Sequence, residues 1–146
     1  MISENKIKRV VNVKPEYIGT SFMEHIKQQI EKDVVGECNN QIGHILNVVR
    51  IDKIIDNFIE NSSSEIMVEL EITVSTFKPT LGMIVDGIVK AIYNDGILAE
   101  LYDKQKILIP SNTYSQINTS IGSTIAIKIT AIRYTNHVFS CVGVIA

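Results

Sequence analysis

Residues 76–89, T-F-K-P-T-L-G-M-I-V-D-G-I-V, decide how this chain is divided. Pro79 has no amide hydrogen to give to a β ladder and pushes Lys78 into extended geometry. Just upstream, Ile66, Val68, Leu70, Ile72 and Val74 alternate with Met67, Glu69, Glu71 and Thr73, the pattern of a strand with one covered and one solvent face. Just downstream, Gly82 and Gly87 punctuate a new apolar strand over 83–92. One sheet is expected to stop and another to begin within about four residues, too few for a flexible linker. Phe77 is the expected plug of this seam, an aromatic where an exposed linker would carry Gly and Ser. The pattern predicts two small β-rich modules, 1–80 and 81–146, joined rigidly.

The 146 residues are 45% hydrophobic and 21% charged, values of a globular rather than a disordered chain. Residues 1–80 hold nine Lys/Arg against twelve Asp/Glu, a net −3, and residues 81–146 hold five against four, a net +1. Neither module is a basic patch, so contact with RNA is expected to be weak or local. Cys38 and Cys141 lie far apart and, with three scattered histidines, make no metal-ligand spacing; free thiols in a reducing compartment are expected. No apolar run approaches the ~20 residues of a membrane span. The N-terminus, M-I-S-E-N-K-I-K-R, lacks the apolar core of a signal peptide, so a soluble intracellular chain is expected.

In the first module, residues 6–13 read as a strand ended by Pro15. Ser21 and Glu24 have the spacing of a capping box, and Phe22, Ile26, Ile30 and Val34 then recur at helical steps until Gly36. Residues 36–43, G-E-C-N-N-Q-I-G, form a loop whose glycines permit close backbone approach. A second strand is predicted over 44–51. Residues 52–65 read as a polar excursion around a serine cluster, with one helical turn at Ile54, Ile55, Phe58 and Ile59. Glu69 and Glu71 invite a catalytic reading, but their place on the outer face of a strand makes them a solvated edge.

In the second module short strands follow one another at regular spacing. Residues 83–92 lead through Tyr93-Asn94-Asp95-Gly96 into 97–101, and Asp103-Lys104-Gln105 turns the chain into 106–109. Residues 110–117 are a connector with room for one helical turn. Ile125, Ile127 and Ile129 share one face of a fourth strand, and residues 134–137 turn it into a fifth, 138–145. Five strands interrupted after the third is the order of an OB barrel.

Phe77, Lys78 and Pro79 followed by Gly82, Val85, Gly87 and Val89 resemble the junction in the stalk subunits of multisubunit RNA polymerases, the family of the seventh eukaryotic subunit and its archaeal counterpart. Gly36, Cys38 and Gly43 are similar to that family's Gly-x-Cys segment and the glycine after it. The resemblance implies an α+β chain: an N-terminal tip domain, with an antiparallel sheet and one helix, over 1–80, then an S1-type OB barrel over 81–146. It implies a noncatalytic subunit without cofactor or metal, whose tip loop (Gly36, Cys38, Asn39, Asn40, Gly43) docks on the polymerase core near the clamp. Phe77, Lys78, Pro79 and Gly82 would form the domain seam. Implied partners are the core subunits, a second stalk subunit like the fourth eukaryotic one, and nascent single-stranded RNA.

The chain departs from RNA-binding S1 domains at Asn94-Asp95-Gly96-Ile97-Leu98, where they usually carry aromatics. Stacking on such rings contributes roughly 1–3 kcal/mol per base. The remaining candidate RNA contacts are Tyr93 and Tyr102, with Tyr114 beside them, and Lys104, Lys106, Lys128 and Arg133 as phosphate partners. The Ile/Asn/Lys-rich composition suggests a large-DNA-virus version, cytoplasmic if so and nuclear otherwise. The rival from another class is a free S1/OB RNA-binding protein of translation or decay. An enzyme finds no nucleophile–base pair or metal cluster in the sequence.

Overall fold

The computed structural model describes residues 2–14, 21–59, 65–114 and 119–146. They gather into two compact units, one of Ile2–Glu37 with Ile45–Phe77, the other of Cys38–His44 with Lys78–Ala146.

The first unit is built on the antiparallel pair β1 (Ile2–Val13) and β4 (Ile66–Phe77), in register from Ile2 opposite Phe77 to Val13 opposite Ile66. With β3 (Gly43–Ile59) and β2 (Cys38–Asn39) the strand order is β1-β4-β3-β2, of which β2 and the first two residues of β3 belong to the second unit. The alternation of β4 holds, with Val68, Leu70, Ile72 and Val74 fully buried. The helix α1 (Phe22–Val34) lies against β1 and buries Ile26, Ile30 and Val34, while Glu24, Lys27, Gln28 and Lys32 are exposed. Each such aliphatic side chain contributes about 1.5–3 kcal/mol when taken from water.

Several sequence expectations are corrected here. The first strand starts at Ile2 rather than Lys6, and near its start Asn5 Nδ2 donates to Thr76 Oγ1 at 2.7 Å. The end at Pro15 lies outside the described residues. The Ser21–Glu24 capping box is not formed: Ser21 has φ −97° and ψ 8°, near-helical rather than extended, and its hydroxyl makes no capping bond. The polar excursion is instead strand as far as Ile59, without the helical turn at Ile54, Ile55, Phe58 and Ile59. Cross-strand pairs hold it there. Thr73 donates to Asp52 Oδ2 at 2.6 Å, and Lys53 Nζ stands 3.8 Å from Glu71. Thr73, expected on the solvent face, is buried in consequence. Its hydroxyl, together with Arg50, holds the Asp52 carboxyl below the usual carboxylate range. The serine cluster lies outside the described residues.

The second unit is a closed barrel, β5 (Ile84–Tyr93), β6 (Gly96–Leu101), β7 (Gln105–Pro110), β8 (Thr124–Thr135) and β9 (Val138–Ile145), in the order β5-β6-β7-β9-β8. β7 and β9 run parallel and the other neighbours antiparallel, the five-stranded Greek-key arrangement of an OB fold. This is the α+β architecture that the sequence predicts. Two turns put consecutive residues at positive φ, Tyr102 (52°) with Asp103 (56°) and Asn136 (51°) with His137 (62°), as tight hairpins of this hand require. Gly96 is demanded by space, since a Cβ there would collide with the carbonyl oxygen of Ile109. Inside the barrel Ile127 fills the room left by two glycines: a Cβ on Gly87 or Gly143 would stand 2.8 or 2.6 Å from its side chain. The connector after β7 begins with a single 3₁₀ turn, Ser111–Thr113.

Between β4 and β5 lie residues 78–83, a longer passage than the sequence suggests. Lys78 is exposed and Pro79 buried. Gly82, at φ 81°, donates its amide to Ile129 O at 2.8 Å, and Ile129 N returns a bond to Met83 O at 2.9 Å. Phe77, the last residue of β4, is 0% exposed. Phe77→Ala is therefore expected to cost ~3–5 kcal/mol of stability, measured from the midpoint of urea unfolding. An unchanged midpoint would remove the ring from the core.

Candidate functional site

The segment singled out as a tip loop is a short β-hairpin. Cys38 pairs with His44 and Asn39 with Gly43, and Gly36 and Gly43 both adopt positive φ, 96° and 81°. Asn39 Oδ1 accepts from the amides of Gln41 and Ile42, each at 2.9 Å, so the Asn side chain shapes the turn. Asn40 and Gln41 are left exposed at its end, while Cys38, Asn39 and Ile42 are half-buried.

Sequence reasoning misses the residues that fix this hairpin within its unit. His44 is buried, and its Nε2 lies 2.8 Å from Gln105 Oε1. Gln105 is itself buried; its Nε2 donates to Lys106 O and Phe139 O, both at 2.8 Å. With both amide hydrogens committed to carbonyls, Oε1 must accept, so the proton of this contact sits on His44 Nε2. The sequence places Gln105 in a turn, whereas it is the first residue of β7. A signal was present: Gln105 shares the inward parity of Ile107 and Ile109.

The six candidate RNA contacts all stand exposed on the outside of the barrel. Tyr102 and Lys104 lie in the β6–β7 turn. Lys106 faces Glu100 across β6, and Arg133 faces Ser140, whose successor Cys141 pairs with the successor of Lys106. These four flank one end of the outer face of β6, β7 and β9. Tyr93, opposite Gly96, and Lys128, opposite Val144, belong to its other end. Six-residue β6 separates the two turns by roughly 17 Å, so Tyr93 and Tyr102 cannot stack on adjacent bases. Tyr114 is half-buried beyond the 3₁₀ turn. Between the ends runs a row of aliphatic side chains, Leu98, Leu108 and Val142, paired in register.

Glu69 and Glu71 are half-buried on β4, and Glu71 meets Lys53. Among the described residues no group of three His, Cys, Asp or Glu could hold a metal ion, and no helix is long and apolar enough to cross a membrane. Burial raises the Cys38 thiol above its ordinary value and pushes Cys141 up to about 11. Both thiols are thus held neutral, the opposite of what a nucleophile needs.

The described residues form a helix-bearing antiparallel sheet and an OB-type barrel. Three relatives found by comparison with known proteins are of one kind. The chain is 25% identical over 156 aligned positions to DNA-directed RNA polymerase II subunit 7 of Arabidopsis thaliana, covering 95% of this chain and 89% of that protein. It is 24% identical over 94 positions to DNA-directed RNA polymerase II subunit rpb7 of Dictyostelium discoideum and to its counterpart in Glycine max. Those alignments cover 64% of this chain and about half of each relative, 55% and 53%. No family model matches the chain.

The thiols give a direct check on this site. Because a raised pKa favours the neutral form, alkylation by iodoacetamide at pH 7 should be slow at both cysteines and slower at Cys141 than at half-buried Cys38. At pH 7 a thiol of pKa about 11 is ionised in roughly one molecule in ten thousand, rising about tenfold per pH unit. Rapid labelling of native Cys38 at neutral pH would restore a reactive role.

Proposed function

We propose that the chain is a noncatalytic stalk subunit of a DNA-directed RNA polymerase. The observation that carries this reading is the similarity to RNA polymerase II subunit 7, which spans 95% of the chain and therefore both units of the fold. The fold is in keeping with it, an antiparallel sheet with one helix and then a closed five-stranded barrel.

In this reading the hairpin around Gly36, Cys38, Asn39, Asn40 and Gly43 docks on the polymerase core near the clamp and biases its position. Phe77, Lys78, Pro79 and Gly82 form the seam between tip and barrel. The barrel stands near the RNA exit path, where Lys104, Lys106, Lys128 and Arg133 offer weak phosphate contacts and Tyr93 and Tyr102 offer rings at opposite ends of the face. A second stalk subunit of the fourth-subunit kind is the expected partner, and the nucleus, or a viral factory for a virus-encoded version, the expected place.

Affinity purification through this chain should retain core polymerase subunits after nuclease treatment. A chain that loses them with the RNA is instead a free RNA-binding module. Gly43→Val, a β-branched residue forced to φ 81°, should weaken coelution with the core while circular dichroism shows the chain still folded; unchanged coelution would remove the hairpin from the docking surface. Alone, the chain should bind single-stranded RNA with Kd in the range of about 10⁻⁴–10⁻⁶ M at physiological salt, measured by fluorescence anisotropy. Tight, sequence-selective binding would overturn the stalk assignment in favour of the RNA-binding module.

A further inference from the structure

We propose that the outer face of β6, β7 and β9 docks an acidic amphipathic helix of a partner protein, its apolar side chains over Leu98, Leu108 and Val142 and its carboxylates toward Lys106 and Arg133. This goes beyond the polymerase reading and does not depend on it.

The face is defined by register. Leu98 pairs with Leu108, and Leu108 with Val142, so the three side chains stand side by side on three neighbouring strands. Each is flanked along its own strand by buried residues, Ile97 and Ala99, Ile107 and Ile109, Cys141 and Gly143, which fixes all three as outward-pointing. Leu108 is 42% exposed, and Leu98 and Val142 are half-buried. Ala91 and Ala131 continue the row on β5 and β8. Their short side chains leave its ends open.

The spacing selects the occupant. Neighbouring strands lie ~4.8 Å apart. A helix laid across them advances about 4.5–6 Å for every three or four residues. Apolar side chains at i, i+3 or i+4, and i+7 therefore fall successively over Leu98, Leu108 and Val142. Nucleobases are poorly served here, because an OB face that holds single strands does so with aromatic rings, and aliphatic side chains offer no π-face.

Charge selects its sign. Lys106 and Arg133 lie two residues along their strands from the row, roughly 7 Å away. Of the acids nearby, Glu100 faces Lys106, and Asp103 is turned to Lys90 at 3.8 Å. Arg133 faces only Ser140 and makes no ion pair among the described residues. One flank of the row is thus net basic and lacks its complement.

The test is selection of a displayed library of random peptides, about 16 residues or four helical turns long, against the full-length chain. Enriched peptides should be net acidic, carry aliphatic residues at helical spacing, and become helical on binding by circular dichroism. Their affinity should fall roughly tenfold or more on Leu108→Asp and on Arg133→Glu. Both changes are at exposed positions and should leave the chain's own spectrum unchanged. Failure to enrich any peptide sensitive to both substitutions overturns the proposal. So does a mixed-sequence single-stranded RNA of about 12 nucleotides that binds more tightly than the peptides and is lost on Leu108→Asp, because the face is then a nucleic-acid site.

Discussion

The side-chain amide of Gln105 is the polar group on which the barrel unit turns. It is buried at the point where β7 begins to run beside β9, and there it donates to carbonyls of both strands, Lys106 O and Phe139 O. The parallel ladder itself is short, carried by Ile107 with Cys141 and Leu108 with Val142. A buried amide left unsatisfied costs about 1–3 kcal/mol, so three good bonds on one side chain remove a penalty that an apolar barrel interior would otherwise impose. Its remaining oxygen commits His44, whose ring also lies 6.1 Å from that of Phe139. A single amide thus sets the start of one strand, the approach of a second and the seat of the Cys38–His44 hairpin.

The outside of the barrel follows a different logic. Alternation sends every second side chain outward; on β6, β7 and β9 these are aliphatic at the centre, with Glu100 and Lys106 charged at one margin of β6 and β7.

What could be read from the sequence follows from how local its cause is. The inward set Val68, Leu70, Ile72 and Val74 of β4, the stripe of Ile26, Ile30 and Val34, and the turn at Gly96 are decided within a few residues, and the structure keeps them. The far half of β3 is different. Asp52, Lys53, Asp56 and Asn57 look like loop chemistry, and only Thr73 and Glu71, about twenty residues on, show why that stretch stays extended. Gln105 was hidden in the same way, because its partners His44 and Phe139 come from distant parts of the chain. The candidate RNA residues could be chosen by type, but their grouping at two ends of one face needed the registers of four strand pairs.

The barrel unit is assembled from two separate stretches of chain, with Cys38–His44 contributed from inside the run that otherwise builds the first unit. A segment cut at residue 78 would carry all five barrel strands yet arrive without one of its own pieces, leaving the Gln105 oxygen facing a hole. The two units are therefore not two consecutive halves of the chain. A substitution at position 44 that removes the ring N–H leaves the Gln105 oxygen without the bond it makes here, so the two positions are coupled across 61 residues of sequence.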